Sequence, residues 1–163
     1  MRPADVSVSD HPDPGSASVH EPIRGPVLGL DLGDARIGVA ISDPDRRIAV
    51  PVGTVHVGRP PGELLAVAAL IRERGATLVV IGLPLSMSGE RGGSAAHAES
   101  FAAALRSVVD VPIELHDERL STVEAERALS AAGTRGRERR RAVDASAAAV
   151  ILQAWLDGRR NNS

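Results

Sequence analysis

The sequence predicts one α/β domain built around a mixed sheet of five strands, and two patterns support this. Near the amino terminus, three short apolar segments follow one another with turn residues between them, as in an antiparallel meander. Further along, apolar residues at helical spacing alternate with continuous apolar runs, as in a parallel sheet covered by helices. A chain of 163 residues suits one domain, which buries roughly 70% of the surface of the unfolded chain.

The three antiparallel strands lie in the first part of the chain. The first is apolar apart from Asp31, and Gly33 and Asp34 turn the chain into the second strand. The predicted strands cover residues 27–32, 36–41 and 48–57.

The rest of the chain predicts helices that alternate with two further strands. A helix over residues 63–74 ends at Gly75, because glycine is favoured just after a helix. Ser121 and Glu124 match a capping box, which predicts a helix over residues 121–132. The remaining predicted helices cover residues 94–108 and 143–156, and the strands cover residues 78–81 and 112–116.

The two ends of the chain are predicted to be tails. Residues 1–24 mix Pro, Ser, Asp and His without an apolar period, so we expect a disordered amino-terminal tail. A short disordered tail is also expected over residues 159–163, which leaves residues 25–158 as the domain. No stretch resembles a signal peptide or approaches the ~20 apolar residues that span a bilayer, so we expect a cytoplasmic protein without a membrane partner.

Composition argues against several classes of function. One Phe, one Trp and no Tyr provide no aromatic platform for stacking single-stranded bases. The absence of Cys removes disulfides, thiolate zinc sites and thiol nucleophiles, and it fits a reducing compartment. The formal net charge of -2 argues against indiscriminate binding to polyanions.

Three carboxylates are singled out by their positions: Asp31 inside the first strand, Glu118 just after the fifth, and Asp144 at the start of the last predicted helix. Ligands of open α/β sheets bind at strand ends, where these residues would converge. Two carboxylates ~4 Å apart repel by ~4 kcal/mol at an effective dielectric constant of 20, and a divalent cation removes that conflict. Oxygen ligands suit Mg²⁺ or Mn²⁺, so all three acids are predicted metal ligands and catalytic residues.

Each acid also has a purely structural alternative. Asp31 could order the hairpin turn, and Asp144 could be a helix N-cap, a position that favours Asp. Glu118 could pair at the surface with Arg119 or Arg127.

Arginines are the second candidate group, because guanidinium groups suit phosphate oxygens and phosphate contacts position a nucleic acid. Five of them crowd into a predicted loop before the last helix, and two flank the acids. The loop could instead be a solvated segment, and the two flanking arginines could be ion-pair partners. The candidate nucleic-acid-binding residues are Arg36, Arg119, Arg135, Arg137, Arg139, Arg140 and Arg141.

Four blocks of sequence resemble the YqgF or RuvX family, and the similarity covers residues 25–158. The blocks are Gly-Leu-Asp-Leu-Gly at 29–33 with Arg-Ile-Gly-Val-Ala at 36–40, Gly-Leu-Pro-Leu at 82–85, Asp-Glu-Arg-Leu-Ser-Thr at 117–122, and Asp-Ala-Ser-Ala-Ala-Ala-Val-Ile-Leu-Gln at 144–153. The resemblance implies an RNase H-like nuclease domain with catalytic acids at Asp31, Glu118 and Asp144. Asp117 stays an alternative to Glu118, because adjacent residues at a strand end face opposite ways.

The resemblance also implies an activity: a hydrolase acting on ester bonds, namely an endonuclease that uses Mg²⁺ or Mn²⁺ on structured RNA or branched DNA. The family is associated with processing of the 5′ end of pre-16S rRNA in ribosome biogenesis and with Holliday junction resolution in DNA recombination. A second hypothesis is a catalytically weak nucleic-acid-binding or protein-interaction factor in transcription or ribosome assembly. Residues 31–33 also resemble the phosphate-binding hairpin of actin-like ATPases, although one unit lacks the second wall of that site. The Ala-rich helices are compatible with a homodimer.

Overall fold

The computed structural model describes residues 24–85, 88–90, 92–119 and 137–162. Five strands and three helices lie in these ranges. The strands are β1 (Val27–Leu32), β2 (Arg36–Ser42), β3 (Ala49–His56), β4 (Leu78–Leu83) and β5 (Ile113–Asp117). The helices are α1 (Gly62–Arg74), α2 (Gly93–Arg106) and α3 (Arg137–Asn161).

The strands form one mixed sheet in the order β3-β2-β1-β4-β5. The first three strands pair antiparallel, whereas β4 pairs parallel with both β1 and β5. The predicted architecture is therefore confirmed. Because β1 lies at the centre, its carboxyl end meets the carboxyl ends of β4 and β5 at the same edge of the sheet.

The alternation of side chains along β1 divides the core into two layers. Leu28 and Leu30 face a cluster that includes Val67 and Ile71 of α1 and Phe101 of α2. The opposite face of the sheet packs against α3, in a second cluster that contains Val27, Val80, Ala148, Leu152 and Trp155. Asp31 shares the parity of Val27 and Gly29, so it lies on the α3 face of the sheet.

Turn chemistry supports the observed bounds of the elements. Gly33 N donates to Arg36 O at 2.9 Å and closes the turn between β1 and β2. Helix α1 ends at Gly75, which has a left-handed backbone with φ 63° and ψ 32° that favours glycine. Within the described ranges, no helix combines the length and apolar character needed to cross a membrane.

The largest difference from the sequence prediction concerns α3. The helix begins at Arg137 rather than at residue 143, so the described arginines of the predicted loop lie in its first turns. It continues to Asn161, so residues 159–161, which we expected in a tail, are helical. Arg is a strong helix former, so a helix can include this segment although its sequence has no apolar period. The helix predicted over residues 121–132 lies outside the described residues.

Candidate nuclease site

Asp31 lies at the carboxyl end of the central strand, directly opposite Gly38 of β2. Its side chain is partly buried and shares a hydrogen bond with the side chain of Glu118. Burial and the negative charge of Asp144 raise the pKa of Asp31, whereas the hydrogen bond with Glu118 acts in the opposite direction. The carboxyl group therefore faces other acids rather than ordering the hairpin turn.

Glu118 reaches Asp31 from the residue that follows β5. Its backbone N donates to Leu83 O at 3.2 Å, which extends the pairing of β4 and β5 by one step. Burial, which has the largest effect, raises the pKa of Glu118 to about 7 together with the charge of Asp31 and their shared hydrogen bond. The hydrogen bond raises the pKa of Glu118 and lowers that of Asp31, so Glu118 is the member of the pair that keeps a proton and donates it to Asp31.

Asp117, the alternative to Glu118, makes different contacts. Its carboxylate accepts hydrogen bonds from Arg119 Nε at 2.8 and 3.1 Å, and it forms an ion pair with Arg119 Nη2 at 2.6 Å. These contacts lower the pKa of Asp117. Because Glu118 contacts Asp31 while Asp117 contacts Arg119, the geometry favours Glu118 as the residue of the acidic site.

Asp144 lies about two turns into α3. The N-cap alternative is therefore wrong for this residue, because an N-cap precedes the first turn. Its Oδ2 accepts a hydrogen bond from Arg36 Nε at 2.9 Å, and both side chains are partly exposed, at 25% for Arg36 and 30% for Asp144. Asp144 is close enough to Asp31 for its charge to raise the pKa of that residue.

Of these three acids, Asp31 and Glu118 are in contact, whereas Asp144 is paired with Arg36. In the part of the chain that the structure describes, no three Asp, Glu or His side chains are arranged closely enough to hold one ion. The carboxyl groups of Asp31 and Glu118 share a hydrogen bond, while Asp144 is paired with Arg36. A pair of half-buried acids with raised pKa values is a donor set that fits a hard divalent cation, which would take the place of the shared proton.

The candidate arginines fall into three groups. Arg36 and Arg119 have carboxylate partners, as the ion-pair alternative expected. Arg141 is exposed on α3, and Arg137, Arg139 and Arg140 belong to the first turns of the same helix. The remaining candidate, Arg135, lies outside the described residues.

Sequence reasoning did not identify a cavity of about 540 Å³ at the opposite edge of the sheet. Leu78 and Pro112, near the amino ends of β4 and β5, line it together with Arg46 and Trp155. The indole Nε1 of Trp155, which is buried, donates to Glu114 at 2.9 Å. The cavity lies away from the acids, and no sequence motif marks it.

The chain is similar in sequence to a family of known proteins and in fold to a solved structure. A family model described as "RuvX: Holliday junction resolvase" matches residues 25–158. The chain is 52% identical over 132 residues to a protein of Anaeromyxobacter sp. named "Putative pre-16S rRNA nuclease", covering 81% of this chain and 96% of the relative. A Mycolicibacterium paratuberculosis protein of the same name is 47% identical over 150 residues, covering 91% and 90% of the two chains.

A structural neighbour supports the fold. The chain superposes on Thermus thermophilus RuvC, solved in complex with a Holliday junction substrate, with a TM-score of 0.51 and 16% identity. The match covers 85% of this chain and 98% of that one. At this level of identity the similarity concerns the fold, and it confirms the RNase H-like architecture.

Proposed function

The chain belongs to the RuvX family, and we propose that it is a metal-dependent endonuclease that processes the 5′ end of pre-16S rRNA. One observation carries the chemical part of this proposal. Asp31 and Glu118 come from distant parts of the sequence, yet their carboxyl groups share a hydrogen bond at the carboxyl edge of the sheet. Burial makes ionisation of both acids costly, and the charge of Asp31 adds to that cost at Glu118, which is a combination found at functional sites.

Asp31 and Glu118 would hold Mg²⁺ or Mn²⁺, with Asp144 as a third ligand. When bound, such an ion polarises phosphate oxygens and lowers the pKa of a coordinated water. The protein contributes a fixed strand position for Asp31 and partial burial, which strengthens electrostatic interactions within the site. Arg36 pairs with Asp144, so Asp144 would exchange this partner for the ion.

The substrate is proposed from the relatives. Proteins 47% and 52% identical to this chain over most of its length carry the pre-16S rRNA nuclease name, which favours ribosomal RNA over a Holliday junction. The arginines in the first turns of α3 support a nucleic-acid substrate of either kind. They lie on the helix that carries Asp144, so their guanidinium groups would contact phosphates beside the acids. Ribosomal precursors mature in the cytoplasm, and we place the protein there.

Cleavage of two paired substrates tests this function. Purified protein with Mn²⁺ is expected to cleave an RNA that carries the 5′ precursor end of 16S rRNA, and to cleave a four-way DNA junction less efficiently. Asp31→Ala is expected to abolish cleavage, whereas Asp34→Ala in the exposed hairpin keeps it. Preferred cleavage of the junction would reverse the choice of substrate. A folded protein that binds RNA without cutting it would support the nucleic-acid-binding hypothesis instead.

Metal binding has its own test. Because a ligand that binds only the folded state stabilises it, Mn²⁺ at about 100 times its Kd raises the free energy of unfolding by about 2.7 kcal/mol. We expect Mn²⁺ to raise the melting temperature of the wild-type protein and of Asp34→Asn, but not of Asp31→Asn. Equal responses in all three proteins would place the ion elsewhere.

A further inference from the structure

We propose that Gly38 and Gly82 are positioning residues of the acidic site, and that each provides the space through which another acid approaches Asp31. This inference rests on the proposed function for the meaning of the site, but its geometry can be tested separately. Neither glycine touches substrate or metal in this proposal. Gly82 acts through the side chain of Glu118, and Gly38 acts through the backbone of α3 that carries Asp144.

The two glycines flank Asp31 in one row across the sheet. Gly38 is the direct partner of Asp31 on β2. On the other side, Leu30 pairs with Ile81 of β4, so the next step of the parallel register brings Gly82 beside Asp31. Directly opposite residues of neighbouring strands point to the same face, so the row presents Gly-Asp-Gly to the α3 side of the sheet. Asp31 therefore has no side chain beside it on either neighbouring strand.

Gly82 makes room for Glu118. A Cβ atom built on Gly82 would lie 2.0 Å from Glu118 Oε1 and 2.8 Å from Glu118 Cδ. All three of the nearest atoms belong to that one flexible side chain. Any larger residue at position 82 must therefore displace the Glu118 carboxylate, the group that hydrogen-bonds Asp31.

Gly38 makes room for the backbone of α3 at Asp144. A Cβ atom on Gly38 would lie 2.0 Å from Asp144 O and 2.6 Å from Asp144 C. Two residues earlier on the same strand, Arg36 holds the Asp144 carboxylate at 2.9 Å. Strand β2 thus positions Asp144 twice, by close approach at Gly38 and by an ion pair at Arg36.

The missing Cβ, rather than backbone freedom, explains these two glycines. The glycines with positive φ among the described residues are Gly53, Gly75 and Gly89, and neither Gly38 nor Gly82 is among them. Alanine could adopt the backbone at both positions, so what opposes it is the side chain of Glu118 at position 82 and the backbone of Asp144 and Ala145 at position 38. Gly62, at the exposed start of α1, would carry a Cβ atom with no other heavy atom within 4 Å, so it provides a matched control.

The decisive variant is Gly82→Ala, because the clash involves the end of a flexible side chain and the fold can absorb it. We expect the metal-free melting temperature to stay close to that of Gly62→Ala, while Mn²⁺ affinity, measured by calorimetry, falls by about 10- to 100-fold, as for other residues that orient metal ligands. An affinity equal to that of Gly62→Ala would overturn the proposal. Gly38→Ala meets helix backbone, so we expect it to lower both the melting temperature and the Mn²⁺ affinity.

Rescue distinguishes positioning from a general structural role. Glu118→Asp shortens the side chain by one methylene, so it weakens Mn²⁺ binding in the wild-type background but relieves the clash in Gly82→Ala. We expect the double variant to bind Mn²⁺ at least as tightly as Gly82→Ala alone, which is a non-additive result. Additive losses would contradict the proposal.

A crystal structure of metal-free Gly82→Ala separates this inference from the proposed function. We expect the Glu118 carboxylate to be displaced from Asp31, whether or not the wild-type protein cleaves RNA or binds Mn²⁺. An undisturbed contact between Asp31 and Glu118 would overturn the inference and leave the proposed function intact. If Glu118 is displaced in Gly82→Ala and the wild-type protein has no nuclease activity, the inference stands and the proposed function is wrong.

Discussion

At the scale of single residues, the site is defined by a conflict between two neighbouring acids. Burial raises the pKa of both Asp31 and Glu118, and each is raised further by the charge of a neighbouring acid. Asp117, one residue away, shows the opposite behaviour, because the hydrogen bonds from Arg119 lower its pKa. The chain therefore places a cation beside the acid outside the site, whereas burial and negative charge dominate at the pair inside it.

This conflict predicts how the stability of the metal-free protein depends on pH. The pKa of Glu118 is about 7 in the folded protein, against 4.5 as the ordinary value that applies to the unfolded chain. Between these values the unfolded chain releases a proton that the folded protein keeps, so the free energy of unfolding falls as pH rises. Below pH 4.5 the stabilisation is fully present, and above about pH 7 it is lost.

Glu118→Gln tests this prediction, because a carboxamide does not titrate. Thermal melts in EDTA across the window from pH 4.5 to just above 7 are expected to show a smaller loss of melting temperature in this variant than in the wild-type protein. Glu73→Gln, on the exposed side of α1, is the matched control and should follow the wild-type curve. The acids with lowered pKa values, such as Asp43 and Asp157, titrate below this window. His116, whose pKa is lowered from 6.5 by burial, is present in all three proteins, so its titration does not distinguish them. Parallel curves for all three proteins would contradict the raised pKa of Glu118.

At the scale of elements, α3 determines where the third acid lies. The helix crosses the sheet at two glycines, since a Cβ on Gly29 would lie 2.8 Å from Leu152 Cβ and one on Gly38 would meet Asp144 O. Ala148 and Leu152 are completely buried against β1 and β2. Close packing at these small residues holds Asp144 above the sheet, so the stability of the core and the geometry of the site depend on the same contact.

Leu152→Ala is therefore expected to weaken the whole fold. Removing a fully buried leucine side chain costs about 2–5 kcal/mol of unfolding free energy, from lost burial and the cavity that remains. Leu65→Ala, where 55% of the residue is exposed, is expected to cost less than about 1 kcal/mol. Urea denaturation of both variants measures the difference. Similar costs at the two positions would mean that α3 is not packed as the structure shows.

The sequence predicts these elements well where the pattern is local. The strand β1 has its predicted bounds, and the apolar runs and Gly75 place β4 and the end of α1 within two residues. The start of α3 is not predictable in this way, because Arg137 and its neighbours carry no apolar period.

For the site, the sequence predicts which acidic residues belong to it more readily than it predicts the contacts between them. An acid inside an apolar strand indicates Asp31, but the pairing of Arg36 with Asp144 joins residues 108 positions apart. No local pattern contains such a contact, because it depends on the path of α3 over β2. The same holds for Gly38 and Gly82, whose role is visible only when the atoms opposite them are known.

At the scale of the whole molecule, the two edges of the sheet differ: the acids lie at the carboxyl edge, and the cavity lies at the opposite edge. The acids occupy the carboxyl edge of β1 and β5, while α3 runs away from them towards the cavity at the other edge, where Trp155 and Arg159 contact Glu114. The helix begins seven residues before Asp144, so its first turns extend about 10 Å beyond that residue at 1.5 Å per residue. Its amino-terminal arginines therefore belong to the acidic end of the molecule.

This placement predicts a salt-dependent contact with nucleic acid. Each phosphate that a cation neutralises adds about 0.9 to the slope of log K against log salt for duplex DNA. Replacing Arg139, Arg140 and Arg141 by Ala should therefore flatten the slope by up to about 2.7, at about 0.9 per lost contact. The measurement is binding of a four-way DNA junction by Asp31→Asn protein at several salt concentrations, which prevents cleavage.

The control for this experiment is the double variant Arg159→Ala/Arg160→Ala at the opposite end of α3. It removes two positive charges but leaves the acidic end unchanged, so its salt slope should match that of the parent. A slope that falls equally in both variants would indicate a general charge effect. An unchanged slope in the triple variant would remove these arginines from the nucleic-acid interface and shift the search to the chain outside the described residues. A smaller salt slope in the triple variant alone would show that α3 provides both the third acid, Asp144, and the phosphate contacts beside it.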